Sequence, residues 1–286
     1  MSDLHAINDA INKRAGRKLL PSIGVSAGLI IIVWTALATY RIIFAAIVAL
    51  AMVLGVREMV GALKKASIEL SFPALSLASI GMASAAWFAG VNGLAVATAI
   101  ALPWLLALLL PKGPENFIRN ASAYALTLIY IPFLAGFLIL LARPHNGLER
   151  VMTFVVLIAC NDTFAYLTGL AIGKHTMAQK ISPKKTWEGF IGSIIFTTIA
   201  GAVAFHFILD AEIWIGALAG LLIVISGTSG DLIESAIKRD LAIKDMGDLL
   251  PGHGGVLDRI DSILYAAPAL WLALELVRHA QESGLL

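Results

Sequence analysis

The stretch Ser235–Asp261, SAIKRDLAIKDMGDLLPGHGGVLDRID, follows directly on Gly230-Asp231-Leu232-Ile233-Glu234 and makes a polar island in an apolar chain. Seven of the nineteen acids lie between Asp231 and Asp261, together with Lys238, Arg239, Lys244 and Arg259. Asp231, Glu234, Ser235 and Lys238 recur at i, i+3, i+4 and i+7, so a helix running out of the preceding apolar segment carries all four on one face. Pro251-Gly252-His253-Gly254-Gly255 cannot continue a helix, because proline has no N–H to donate and glycines favour turns that open amides toward a ligand. Asp258 and Asp261 then stand one helical turn apart at the mouth of the next apolar run. Each could serve only as a helix cap. Taken with Asp231, returning from the other side of the glycine turn, they are the oxygen ligands that a hard divalent cation such as Mg²⁺ requires. Lys238, Arg239, Lys244 and Arg259 are suited to hold phosphate oxygens beside it.

Outward from this stretch, composition decides the class. Of 286 residues, 59% are hydrophobic and 14% charged, with a mean hydropathy of +0.86, which marks an integral membrane protein of all-α, polytopic type. A single cysteine, Cys160, allows no intramolecular disulfide. The net charge of +2 matters less than its placement, and no nucleic-acid partner is expected. Residues 1–20 read as a polar cytosolic leader with Lys13, Arg14, Arg17 and Lys18, not as a cleaved signal peptide.

A span needs ~20 apolar residues. Nine candidates follow, at 22–40, 42–57, 71–89, 91–110, 121–142, 151–173, 189–209, 212–230 and 263–280. Only Tyr40-Arg41 separates the first two, which predicts a tight hairpin there. With the N-terminus in the cytosol, this layout leaves only Arg41, Arg143, Arg150 and Arg278 outside among the twenty-one Lys and Arg residues. It also puts the polar island on the cytosolic face of a cell membrane. The chain divides into about five plain N-terminal spans (21–150) and a C-terminal catalytic region (151–286). In the first part Arg57-Glu58, at the end of an apolar run, could pair with the site, and a snorkelling interfacial pair is the favoured reading. Gly and Ala faces throughout suit close helix packing and are compatible with a homodimer.

A second polar stretch lies inside the sixth run. Asp162, after Asn161, would cost ~2.5 kcal/mol or more to insert unpaired, so it faces either a ligand or a structural partner, and the ligand site is the favoured reading. The loop after it is cationic: Ser182-Pro183-Lys184-Lys185 precede a helix opening over Thr186–Gly189, whose free amides add to the lysine charges as a seat for an anion.

The string S-x-x-K-R-x4-K-D-x-G-x3-P-G-H-G-G-x2-D-R-x-D is filled without a gap from Ser235 to Asp261. It resembles the signature of phosphatidate cytidylyltransferases, also called CDP-diacylglycerol synthases. Asn161-Asp162-Thr163-Phe164-Ala165-Tyr166, and Gly173-Lys174 with Ser182 through Phe190, are similar to two further stretches of that family. The resemblance covers about residues 150–280; before that only the series of spans matches. It implies transfer of the CMP moiety of CTP to phosphatidate, giving CDP-diacylglycerol and pyrophosphate.

The residues suit that chemistry, in which two anions are pressed together and charge must be neutralised. Asp231, Asp258 and Asp261 are the expected Mg²⁺ ligands, with room for a second cation, and Lys238 joins them in the catalytic set. Arg239, Lys244, Arg259, Asp162, Ser182, Lys184 and Lys185 are the expected substrate contacts. The lipid phosphate, with a second pKa of ~6, needs no strong base, so His253 reads as a turn or phosphate contact. Two other readings use the same residues. A CTP-dependent lipid-alcohol kinase would transfer the γ-phosphoryl group instead, and a cation transporter would use Asp162 and Asp231 as ligands near the membrane midplane.

Overall fold

The computed structural model describes residues 31–249 and 254–282. The leader 1–20, residues 22–30 of the first expected span and His253 lie outside the described residues. Residues 31–39 are helical, and the extended backbone of Tyr40 (φ −137°, ψ 105°) breaks them from α1, Arg41–Lys65. α2 is Phe72–Ala107 and α3 is Phe117–Leu128; α4, Leu134–Ala142, continues α3 through a π-helical turn at Ile129–Phe133. That turn contains Pro132, which lacks the N–H an α-helix would need there. The rest comprises α5 Gly147–Ile172, strands β1 Thr176–Ala178 and β2 Ser182–Thr186, then α6 Trp187–Ile208, α7 Ile213–Asp240 and α8 Leu257–Glu282.

Seven helices among the described residues are long and apolar enough to cross a membrane. One of them doubles back. Within α2, Gly90 has φ 68° and ψ −151°, a conformation closed to residues with a side chain, and the chain reverses there. A straight run from Ser71 to Lys112 would place its ends ~60 Å apart. Instead both residues line one cavity with Val60, Lys64, Glu69 and Leu70. Arg143 covers the reversal, its Nε donating to the Trp87 carbonyl at 2.8 Å. The expected spans 71–89 and 91–110 are thus the two arms of α2.

The rod Phe117–Ala142 is the most buried of the seven and forms the axis of the first half. Tyr124 accepts a hydrogen bond from the Ser71 amide at 2.6 Å, and Phe137 meets Trp271 of α8 edge-on at 5.3 Å. The other helices of the second half pack through small residues. A Cβ on Gly201 would come within 2.2 Å of the Gly216 carbonyl, so α6 and α7 touch backbone to backbone.

At one end of the bundle Arg41 reaches the carbonyls of Arg143 and Pro144. At the other, Arg119 reaches the Ala66 carbonyl. Arg41, Arg143, Arg150 and Arg278 belong to the first end, and the remaining described Lys and Arg residues to the second. The second end also carries the two strands found among the described residues. Within the cationic loop, residues 176–186 fold into an antiparallel hairpin pairing Thr176 with Thr186 and Ala178 with Ser182.

Candidate active site

α7 and α8 cross where Gly230 meets the Asp261 carbonyl; a Cβ on Gly230 would lie 2.5 Å from that oxygen. The crossing puts the next residue of α7, Asp231, beside Asp261. Asp231, with a side chain 40% exposed, receives Lys185 from β2 at 2.8 Å on Oδ2 and the Ser235 hydroxyl at 3.4 Å on Oδ1. Lys185 also reaches the Thr228 carbonyl at 3.5 Å. Asp261 accepts the Ser262 amide at 2.8 Å and interacts electrostatically with Asp231 and Asp162. Asp162 accepts the Asn161 amide nitrogen at 3.0 Å. Three helices and the hairpin therefore bring Asp162, Asp231, Asp261 and Lys185 into one electrostatic neighbourhood.

A second cluster lies one turn farther along the same two helices. Lys238 is clasped between Glu234 and Asp258, with Asp258 Oδ1 at 2.8 Å. Asp258 Oδ2 accepts the amides of Met246 and Gly255, both at 2.9 Å. Three of the carboxylate's roughly four acceptor positions are thus used by the protein, one on Oδ1 and two on Oδ2, so Asp258 is tied more closely into the protein than Asp231 or Asp261. Lys238 pairs with two carboxylates, one on its own helix and one from α8.

The anion seat expected at the start of α6 is likewise partly filled from within. Trp187 N donates to the His175 carbonyl at 2.9 Å and Gly189 N to the Thr186 hydroxyl at 3.2 Å. Glu188 binds His175 Nδ1 at 2.6 Å, placing a negative charge where a substrate anion was expected. The remaining cations divide by role. Arg239 donates to the Ile181 carbonyl at 3.2 Å and so ties the hairpin to α7. Lys184, Lys244 and Arg259 are exposed and Ser182 is half-buried.

Two further residues line this region: Glu58, favoured from the sequence as an interfacial residue, and Tyr130, which the sequence did not single out. Glu58 of α1 is buried and accepts the amides of Val256 and Leu257. Tyr130, buried in the π-helical turn, lies 5.9 Å from Tyr265 ring to ring. Among the described residues the Tyr130 hydroxyl, Asn161 Oδ1 and Glu234 Oε1 are buried without a hydrogen-bond partner, so polar capacity remains beside the aspartates. An acid inside or next to an apolar run was the one available signal for Glu58; its partners lie far away in sequence. Among the described residues, no three His, Cys, Asp or Glu side chains stand in a geometry that could hold a metal by themselves.

The family model described as "Cytidylyltransferase family" matches residues 22–277. The chain belongs to the cytidylyltransferase family. It is 37% identical over 285 residues to a phosphatidate cytidylyltransferase of Mycobacterium bovis, an alignment covering 92% of this chain and 90% of that protein. The Mycobacterium tuberculosis protein of the same name is also 37% identical, with 92% and 84% covered. That of Staphylococcus haemolyticus is 34% identical over 216 residues, with 74% and 81% covered. The match includes the N-terminal half, where the sequence alone offered only a series of spans.

Proposed function

We propose that this protein transfers the CMP moiety of CTP to phosphatidate, forming CDP-diacylglycerol and pyrophosphate. A phosphatidate phosphate oxygen bonds to the α-phosphorus of CTP, and the bond from that phosphorus to the bridging oxygen of the β-phosphate breaks. The observation that carries the reading is the meeting of Asp231, Asp261 and Lys185 at the α7–α8 crossing, in helices whose length and hydropathy suit a bilayer.

The donor set fits Mg²⁺: Asp231 and Asp261 are hard oxygen donors, and substrate phosphates and water normally complete such a shell. Asp162 is the candidate ligand for a second cation. Bound there, the metal would supply charge neutralisation on the reacting phosphate oxygens. Lys185, already beside Asp231, is placed to contact the same phosphates, with Lys184, Lys244 and Arg259 lining the approach. Asp258 and Lys238 orient the start of α8. The phosphatidate phosphate is largely ionised near neutral pH, so no side chain is assigned as a base.

The same proposal includes nine spans, an N-terminus in the cytosol and a site facing the cytosol at the plasma membrane. Its support is the clustering of cations at the site's end of the bundle and the reversal at Gly90. The test is incubation of purified protein with labelled CTP, phosphatidate and Mg²⁺, then lipid extraction. Labelled CDP-diacylglycerol with release of pyrophosphate is expected. Release of CDP with phosphorylated lipid would assign a kinase instead.

A further inference from the structure

Glu58 closes α1 only two turns before its end at Lys65, yet it is 7% exposed. Its two oxygens accept two consecutive amides from the far end of the chain: Val256 N at 2.8 Å on Oε1 and Leu257 N at 2.9 Å on Oε2. These are the N–H groups that the start of α8 cannot satisfy internally. A carboxylate is the favoured partner at that end of a helix dipole. The fit leaves no spare room. A Cβ on Gly255 would come within 2.5 Å of Glu58 Oε2, and one on Gly247 within 2.6 Å of Oε1. The opposite side of the same loop is held by Asp258, through the amides of Met246 and Gly255, and Asp258 is braced by Lys238. The segment entering α8 is therefore clamped between a carboxylate from α1 and one from α8 itself.

We infer that Glu58 is a positioning residue for cytidylyl transfer: by pinning the first amides of α8 it sets where Asp261, one helical turn beyond the clamp, stands against Asp231. This rests on the reaction proposed above. It gives the N-terminal half a part in the chemistry without touching substrate. A packing residue would change only how much folded protein is recovered. A positioning residue must change turnover per folded molecule.

The test compares wild type with Glu58→Gln and Glu58→Asp as full-length purified protein. Glutamine keeps the shape but turns one acceptor into a donor facing a donor. For Glu58→Gln we expect kcat to fall ~10-fold or more with KM for phosphatidate within about twofold of wild type. Glu58→Asp, which keeps both acceptors, should recover part of the loss. Hydrogen exchange supplies a readout independent of catalysis: the peptide containing Val256 and Leu257 should lose protection in Glu58→Gln while peptides from α5 and α6 keep theirs. Gly255→Ala should act on the same contact, so its effect and that of Glu58→Gln should fall short of additive. Unchanged exchange at Val256 and Leu257 overturns the clamp. Lost protection with wild-type kcat overturns the positioning role. Absence of CMP transfer by the wild type would overturn the proposed reaction and with it the positioning role, while the exchange measurement would still decide the clamp.

Discussion

The two halves of the bundle spend their polar groups in opposite ways. In the first, Arg119 caps the Ala66 carbonyl, Arg143 the Trp87 carbonyl and Tyr124 the Ser71 amide, so polar side chains finish backbone hydrogen bonding where helices end or turn. In the second, charge meets charge: Lys185 with Asp231, and Lys238 with Glu234 and Asp258. The first pattern pairs side chains with backbone groups. The second leaves carboxylate oxygens over, and surplus oxygens in an apolar bundle are what a phosphate-transfer site with a divalent cation needs. Glu58 breaks the division, since it belongs to the first half by sequence and serves the second by contact.

The sharpest break of this comparison is at the surplus oxygens. Asp231→Asn and Asp261→Asn should each lower CDP-diacylglycerol formation at least ~100-fold while the protein still inserts and elutes as a folded species. Near-normal turnover in both would remove the site from the α7–α8 crossing. Next comes the brace. Lys238→Met leaves Glu234 and Asp258 without their cation, and such broken buried pairs typically cost ~3–5 kcal/mol. A large drop in thermal midpoint should accompany the loss of activity, unlike the aspartate variants. In the first half, Gly90→Ala forces a side chain into a left-handed backbone and within 3.0 Å of Arg143 Nη1. It should cost ~1–3 kcal/mol in a thermal or denaturant measurement with kcat per folded molecule unchanged. The smallest effect belongs to the exposed cations. Lys184→Ala should raise KM for CTP or phosphatidate by ~3-fold to 10-fold without altering the melting profile. Wild-type KM for both substrates would exclude Lys184 from substrate handling.

Much of the site could be read in the sequence because its residues are close in number. Asp231, Lys238, Asp258 and Asp261 fall within one short stretch, and helical spacing brings them to the same end of two helices. Spacing did not reveal which atoms stay free. Asp258 and Asp261 look alike in the sequence, yet Asp258 accepts Lys238 and two loop amides while Asp261 borders Gly230 and Asp231. At Thr186–Gly189 spacing likewise did not reveal that Glu188 turns back onto His175. The hairpin Thr176–Thr186 escaped notice because Pro183, Lys184 and Lys185 interrupt the alternation that marks a strand. Glu58 was favoured as an interfacial residue because its partners, the Val256 and Leu257 amides, lie nearly two hundred residues away.

Hydropathy, the run of spans and the filled signature from Ser235 to Asp261 were determined by the amino-acid order alone. The preference of a residue for lipid or water, and the spacing of a helix, depend on the residue and its near neighbours. Which protein groups each aspartate meets, and that Glu58 grips α8, were decided only in the folded bundle. Hydrogen-bonding capacity is used up by whatever partners arrive, and here they arrive from other helices.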